Sequence, residues 1–171
     1  MALVINSITD VYLLQIEPVY VISFEEVFWG ACLVAITMAI HVFGMLMVLR
    51  MNFYLISKLA KKTGFMAGVV PIMLASCLIL LIHLVEVIVW AAFFFWKGAF
   101  PNTSIAYYFA LNEYTTVGSK FSLPLQLRLL EGIISSAGLL TFALSTGILF
   151  RLATSFFENP RKFPGKSNQP I

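Results

Sequence analysis

The chain has 171 residues and a formal net charge of +3, and it is 60% hydrophobic against 11% charged. A soluble domain carries about a quarter charged residues, so a single core in water is excluded: it could hide one of the long apolar blocks and would expose the others. The eleven Lys and Arg residues sit in short clusters beside those blocks. That arrangement lacks the broad basic face that nucleic acid requires. Cys32 and Cys77 lie inside apolar blocks and read as buried thiols rather than a disulfide framework.

Residues 1–24 mix Ile5, Ile8, Val11, Tyr12 and Leu14 with Asp10, Gln15, Glu17 and Pro18. The stretch is too polar to span a bilayer and lacks the basic start of a signal peptide. An amphipathic segment on the outer interface and a loosely ordered lead-in both fit it. A first transmembrane helix is expected over 25–49, where the block Phe28 to Leu49 holds one titratable residue, His41. Residues 50–65 read as a basic cytoplasmic loop. The second block runs from about Met66 to Trp96, interrupted by His83 and Glu86, with Pro71 near its start, where a proline disturbs a helix least. It closes on Phe93, Phe94, Phe95, Trp96 and Lys97, the aromatic-then-cation order of a membrane interface. The third block runs Leu129 to Leu152, and residues 153–171 form a proline-containing cytoplasmic tail. Each block meets the requirement of about 20 apolar residues for a span.

The cations set an orientation. Arg50, Lys58, Lys61 and Lys62 follow the first span, and Arg151, Arg161, Lys162 and Lys166 end the third. Lys97, Lys120 and Arg128 lie on the other side. The positive-inside rule then places the first loop and the C-terminus in the cytoplasm and the N-terminus outside, in a plasma or inner membrane.

Between the second and third spans, Asn102, Thr103 and Ser104 offer helix caps after Pro101. Asn102-Thr103-Ser104 also fits a glycosylation sequon, but the capping role suits its position better. The apolar, aromatic stretch Ile105 to Thr115 follows. At 1.5 Å per residue it covers about 16 Å, half a bilayer. An apolar half-length helix that returns to its own side is a re-entrant element. Its non-helical exit is tolerated at membrane depth only when buried in protein or lining a wet cavity. That exit reads Thr115-Thr116-Val117-Gly118, small residues whose carbonyls can face an axis, at the negative end of a helix dipole.

At these residues the sequence resembles the potassium-channel pore superfamily, and most of all its small prokaryotic members with one pore loop per chain. The resemblance covers about half the chain, from an outer helix (Met66 to Trp96) through a pore helix (Ile105 to Thr115) to an inner helix (Leu129 to Leu152). It implies an all-α membrane protein with three transmembrane helices and a re-entrant pore half-helix between the second and third. Residues 66–152 would be the pore module and 25–49 an added helix. It further implies that Thr116, Val117, Gly118 and Ser119 bind a dehydrated monovalent cation, K+, through backbone carbonyls. One loop per chain then implies a homotetramer. The family's filter continues Tyr-Gly, where this chain has Ser119-Lys120, with Phe121 in place of the usual acid. Lys120 and Glu113 would stand at the outer mouth, Glu113 bracing the filter from behind or acting as an interfacial acid. Gly138, Thr141 and Ser145 would line the inner cavity, with Gly138 as a hinge or a close-packing residue.

His83 and Glu86 share a helix face, and with His41 they could form an intramembrane proton-sensitive or metal-binding cluster. Nothing in the sequence sets His41 beside the other two, so an ordinary interhelical hydrogen bond is the favoured reading. No nucleophile–base pair, metal motif, resident cofactor or voltage-sensing arginine run is present, so no enzyme is expected. Two functions remain: a conducting pore-loop cation channel, or a non-conducting, channel-like accessory subunit of a larger membrane complex. Lipid and another membrane protein are the partners these readings call for.

Overall fold

A computed structural model describes residues 20–59 and 66–157. The expected interfacial segment up to residue 19, Lys61 and Lys62, and the tail from 158 onward lie outside the described residues. Four α-helices follow one another: α1 (Phe24–Leu59), α2 (Met66–Trp96), the short α3 (Thr103–Tyr114) and α4 (Leu129–Phe157). A 3₁₀ turn at Leu125–Leu127 precedes α4.

The ends of the helices are tied by identifiable groups. Ser23 and Glu26 form a reciprocal capping box at the start of α1: Ser23 N donates to Glu26 Oε2 (3.0 Å), and Glu26 N donates to Ser23 Oγ (3.1 Å). The other Glu26 oxygen accepts from Leu129 N (3.1 Å), the first amide of α4. One buried carboxylate therefore satisfies unpaired amides at two helix starts. Lys97, just past α2, pairs with Glu25 at 2.6 Å. So α1 and α4 run in one direction and α2 in the other. Toward the opposite end, Asn52 Nδ2 donates to Pro71 O (2.9 Å), holding α1 against the start of α2.

Three helices are long and apolar enough to cross a membrane, and only 28% of each apolar window is buried within the chain. Phe43, Leu46, Leu80, Leu81 and Phe150 all point outward. So much contiguous apolar surface is incompatible with water and matches lipid. The chain is an integral membrane protein.

The helix bounds differ from the sequence expectation at the ends of α1 and α4, the latter continuing past Leu152 to Phe157, into the expected tail. Residues 50–59, expected as part of a basic loop, continue the helix. Asn52 is buried, and Met45 and Val48 pack with Ala75, Ile79 and Leu152. Hydropathy measures how far a helix suits lipid, whereas a helix stops only where backbone punctuation stops it. At 36 residues, α1 spans about 54 Å, well beyond a hydrocarbon core of about 30 Å. The cysteines also differ: Cys32 is half-buried and Cys77 is exposed on the outside of the bundle. A thiol is apolar enough for either setting.

The second core cluster surrounds α3. Asn102 caps it, its side-chain oxygen accepting from Ile105 N at 2.9 Å. Ala106, Phe109, Ala110 and Tyr114 form its buried stripe, at the spacing of one helix face. Phe109 meets Phe94 edge-on at 5.4 Å and Phe100 at 4.9 Å between ring centroids. On the α4 side the backbones approach so closely that a β-carbon at Gly138 would run into the carbonyl oxygen of Tyr114. Gly132, one and a half turns earlier, has nothing within 4 Å of the same position.

That contrast is testable by thermal unfolding of the purified protein in detergent. Gly138→Ala is expected to destabilise by about 1–3 kcal/mol, because backbone rather than a flexible side chain must move. Gly132→Ala is expected to be neutral or to gain up to about 1 kcal/mol from helix propensity. Equal midpoints for the two variants would contradict this packing.

Candidate functional site

Two groups of residues meet at the C-terminal end of α3: the loop that follows it and a buried polar ring. Their depth can be read from the helices that hold them. Glu86, which accepts a hydrogen bond from the Tyr114 hydroxyl, lies ten residues before the end of α2, about 15 Å along its axis. Thr141, 2.6 Å from the same hydroxyl, lies twelve residues into α4, about 18 Å along.

The loop begins as a helix C-cap. Thr116 N donates to Glu113 O (3.0 Å), and Val117 N and Gly118 N both donate to Asn112 O (2.9 and 3.3 Å). This is the Schellman pattern, with its left-handed position at Thr116, φ +61°. A β-branched residue is costly there. Gly118 has φ +81° with open space around it, and Val117 is 74% exposed. Ser119 N donates to Glu113 Oε1 (2.8 Å), and Ser119 Oγ accepts from Phe121 N (3.1 Å). Glu113 thus holds the loop from behind; its own carbonyl accepts from Ser135 Oγ (2.9 Å). Lys120 is exposed and lies over the Phe121 ring, 5.2 Å from its centroid. Among the described residues, no hydrogen bond reaches the carbonyl oxygens of Thr115, Thr116, Val117 or Gly118.

The polar ring draws on all four helices. His41 Nδ1 meets Glu86 Oε1 at 2.9 Å, and His83 Nδ1 lies 3.4 Å from Glu86 Oε2 and 3.0 Å from the Tyr114 hydroxyl. On the far side, Ser145 Oγ sits between the other ring nitrogens, 3.0 Å from His83 Nε2 and 3.4 Å from His41 Nε2. Thr141 Oγ1 reaches the carbonyls of Ala137 and Gly138. The Phe142 ring covers His83 at 4.4 Å. All six polar members are buried, with Glu86, Tyr114 and Thr141 at 0% exposure. Among the described residues, no buried side-chain nitrogen or oxygen lacks a partner.

The structure thus brings His41 to the His83–Glu86 pair, which sequence spacing alone did not do. It also turns the stripe Gly138, Thr141 and Ser145 inward, against α3 and the two histidines, rather than onto the open face of α4 where an inner cavity was expected. The reason is steric and polar at once: Gly138 admits the backbone of α3, and the hydroxyls one and two turns on complete its hydrogen bonds. Tyr114, within the aromatic stretch Ile105 to Thr115, carries no sequence signal that sets it apart, yet it is the residue that couples α3 to the ring. Ser23-x-x-Glu26 was also missed, and its capping-box spacing before an apolar run was a usable signal. No protein-family model, curated protein or solved structure matches the chain.

Removing the Tyr114 hydroxyl leaves Glu86, Thr141 and His83 each short of a partner in an apolar setting. Tyr114→Phe is therefore expected to lower stability by about 1–2 kcal/mol, read as a lower unfolding midpoint in detergent. An unchanged midpoint would mean that the hydroxyl anchors nothing.

Proposed function

We propose that this chain is a pore-loop cation channel in which α3 is the re-entrant half-helix and several copies, four by analogy with the family it resembles, surround one axis. The carrying observation is the loop after α3. It starts roughly 15 Å below the ends of α2 and α4, has free carbonyls on Thr115 to Gly118, and exposes Val117. Lipid cannot solvate such backbone, so it must be covered by water or by further copies of the protein. A shared wet axis supplies both. The C-terminal end of α3 aims its negative dipole end at that axis, which favours a cation, with K+ the proposed permeant ion. On this reading the side holding Lys97 and Lys120 is external and the helix ends at Leu59 and Phe157 face the cytoplasm.

The filter departs from a straight row of carbonyls, because the amides of Thr116, Val117 and Gly118 are committed to the cap of α3. Selectivity would then come from fewer backbone positions than in the family it resembles. Lys120 opposes entry: a unit charge about 10 Å away costs roughly 0.4 kcal/mol in water, and four together more than that where the dielectric falls. Conduction is accordingly small, set as much by Lys120 as by the loop itself.

Rubidium uptake into liposomes tests this. The wild-type protein is expected to give a low flux, which Gly118→Ala reduces and Lys120→Gly raises by about tenfold, the equivalent of about 1.4 kcal/mol at the mouth. Absence of flux in both the wild type and Lys120→Gly, with the protein folded and reconstituted, would leave the accessory-subunit reading in its place.

A further inference from the structure

The polar ring has one hydrogen fewer than it has contacts. Five contacts link its members in a circle: Glu86–His41, His41–Ser145, Ser145–His83, His83–Tyr114 and Tyr114–Glu86. Each contact needs one hydrogen. A carboxylate brings none, while two neutral imidazoles, a serine and a tyrosine bring one each. Four hydrogens can fill the four shorter contacts, which leaves the longest, His41 Nε2 to Ser145 Oγ at 3.4 Å, with two lone pairs facing each other. A cation removes the conflict.

The geometry points to a divalent transition-metal ion as that cation, zinc best of all, held by His41 Nδ1, His83 Nδ1, a Glu86 carboxylate oxygen and the Tyr114 oxygen. The donor atoms of His41, His83 and Glu86 already lie within 4.8 Å of one another, and all three residues are buried. His41 Nδ1 lies 2.9 Å from Glu86 Oε1, and His83 Nδ1 lies 3.4 Å from Glu86 Oε2 and 3.0 Å from the Tyr114 oxygen, individual spacings close to those of a tetrahedral site. With bonds of about 2.0–2.1 Å, neighbouring ligands stand roughly 3.3 Å apart. To reach that spacing the Tyr114–Glu86 hydrogen bond opens as the ion displaces its proton, and the widest donor pair closes from at most 4.8 Å.

The surrounding groups suit this occupant. Ser145 Oγ has two lone pairs and faces both Nε2 atoms, so it can accept from both rings at once. That fixes each histidine in the tautomer whose Nδ1 lone pair is free to bind metal, the usual role of such an outer partner. Thr141, 2.6 Å from the Tyr114 oxygen, can donate to it once it is ionised. Charge then balances: the ion brings +2, and Glu86 and a tyrosinate each bring −1. Binding forms the metal–oxygen bond and releases the Tyr114 proton to solvent. Neutrality matters here because an uncompensated charge in an apolar bundle is expensive. Two imidazoles among four ligands favour zinc over calcium or magnesium, which take oxygen almost exclusively. Bound there, the ion would pin α1, α2 and α3 together. The inference does not depend on ions crossing the loop.

The two histidines of the chain are both in the site, so a preparation free of histidine tags gives an unambiguous test. Elemental analysis of the purified protein, and titration of metal-stripped protein with Co2+ followed by its visible absorption, are expected to give one ion per chain in a four-coordinate environment. Ser145→Ala keeps every ligand and is expected to weaken affinity by about 10- to 100-fold; His83→Ala is expected to abolish binding. Should His83→Ala fail to fold, the wild-type stoichiometry and the Ser145→Ala affinity decide the matter. Folded wild-type protein that holds no metal and takes up neither Zn2+ nor Co2+ stoichiometrically overturns the proposal, as does unchanged affinity in Ser145→Ala. The fifth hydrogen would then be an added proton.

Discussion

A carboxylate in the middle of a membrane helix must be supplied with donors, and Glu86 organises this protein around that need. An acidic residue at the centre of a lone apolar helix costs about 2.5–3.5 kcal/mol to insert. Here three other helices answer it. His41 comes from α1, Tyr114 from the last turn of α3, and Thr141 and Ser145 from α4 stand behind them. Lipid offers no hydrophobic drive between helices, so small-residue packing and hydrogen bonds must supply the specificity. Gly138 and the Glu86 ring supply those two, less than one turn of α4 apart.

This anchor explains why a helix of twelve residues can hold its place. On its own α3 is too short to be stable in water. Its buried stripe packs among Phe94, Phe100 and Leu130, its N-terminus is capped by Asn102, and its C-terminus is moored by Tyr114. Glu113, one residue earlier, faces the other way and holds Ser119. Adjacent residues on the last turn thus divide two tasks: Tyr114 fastens the helix to the bundle, and Glu113 fastens the loop to the helix.

A second tie lies at the opposite end of α4's first half. Glu26 serves the amides of Ser23 and Leu129 together and accepts from the Tyr20 hydroxyl. It sets the start of α4 level with that of α1, and so sets how far along α4 the residues Gly138, Thr141 and Ser145 fall. Trp90, fully buried, donates to Thr37 at 3.0 Å and aligns α1 with α2 between the two ties. The register of the ring therefore depends on contacts well outside it.

The amino-acid sequence by itself determined the class of protein, the three long helices and the short one between the last two, because apolar length and punctuation by Pro101, Asn102 and Gly118 are local properties. The bounds of α2 and the start of α4 followed from the same signals; the ends of α1 and α4 did not, since hydropathy falls at Arg50 and Arg151 while the helices continue to Leu59 and Phe157. Glu86 and His83 were legible as a pair because one helix carries both. Only tertiary structure decided that His41 joins them, that Tyr114 closes the ring, and that Thr141 and Ser145 face inward. Those meetings depend on the relative rotation and register of separate helices, which no single helix encodes and which are set where the backbones touch at Gly138 and where Glu26 joins two helix starts.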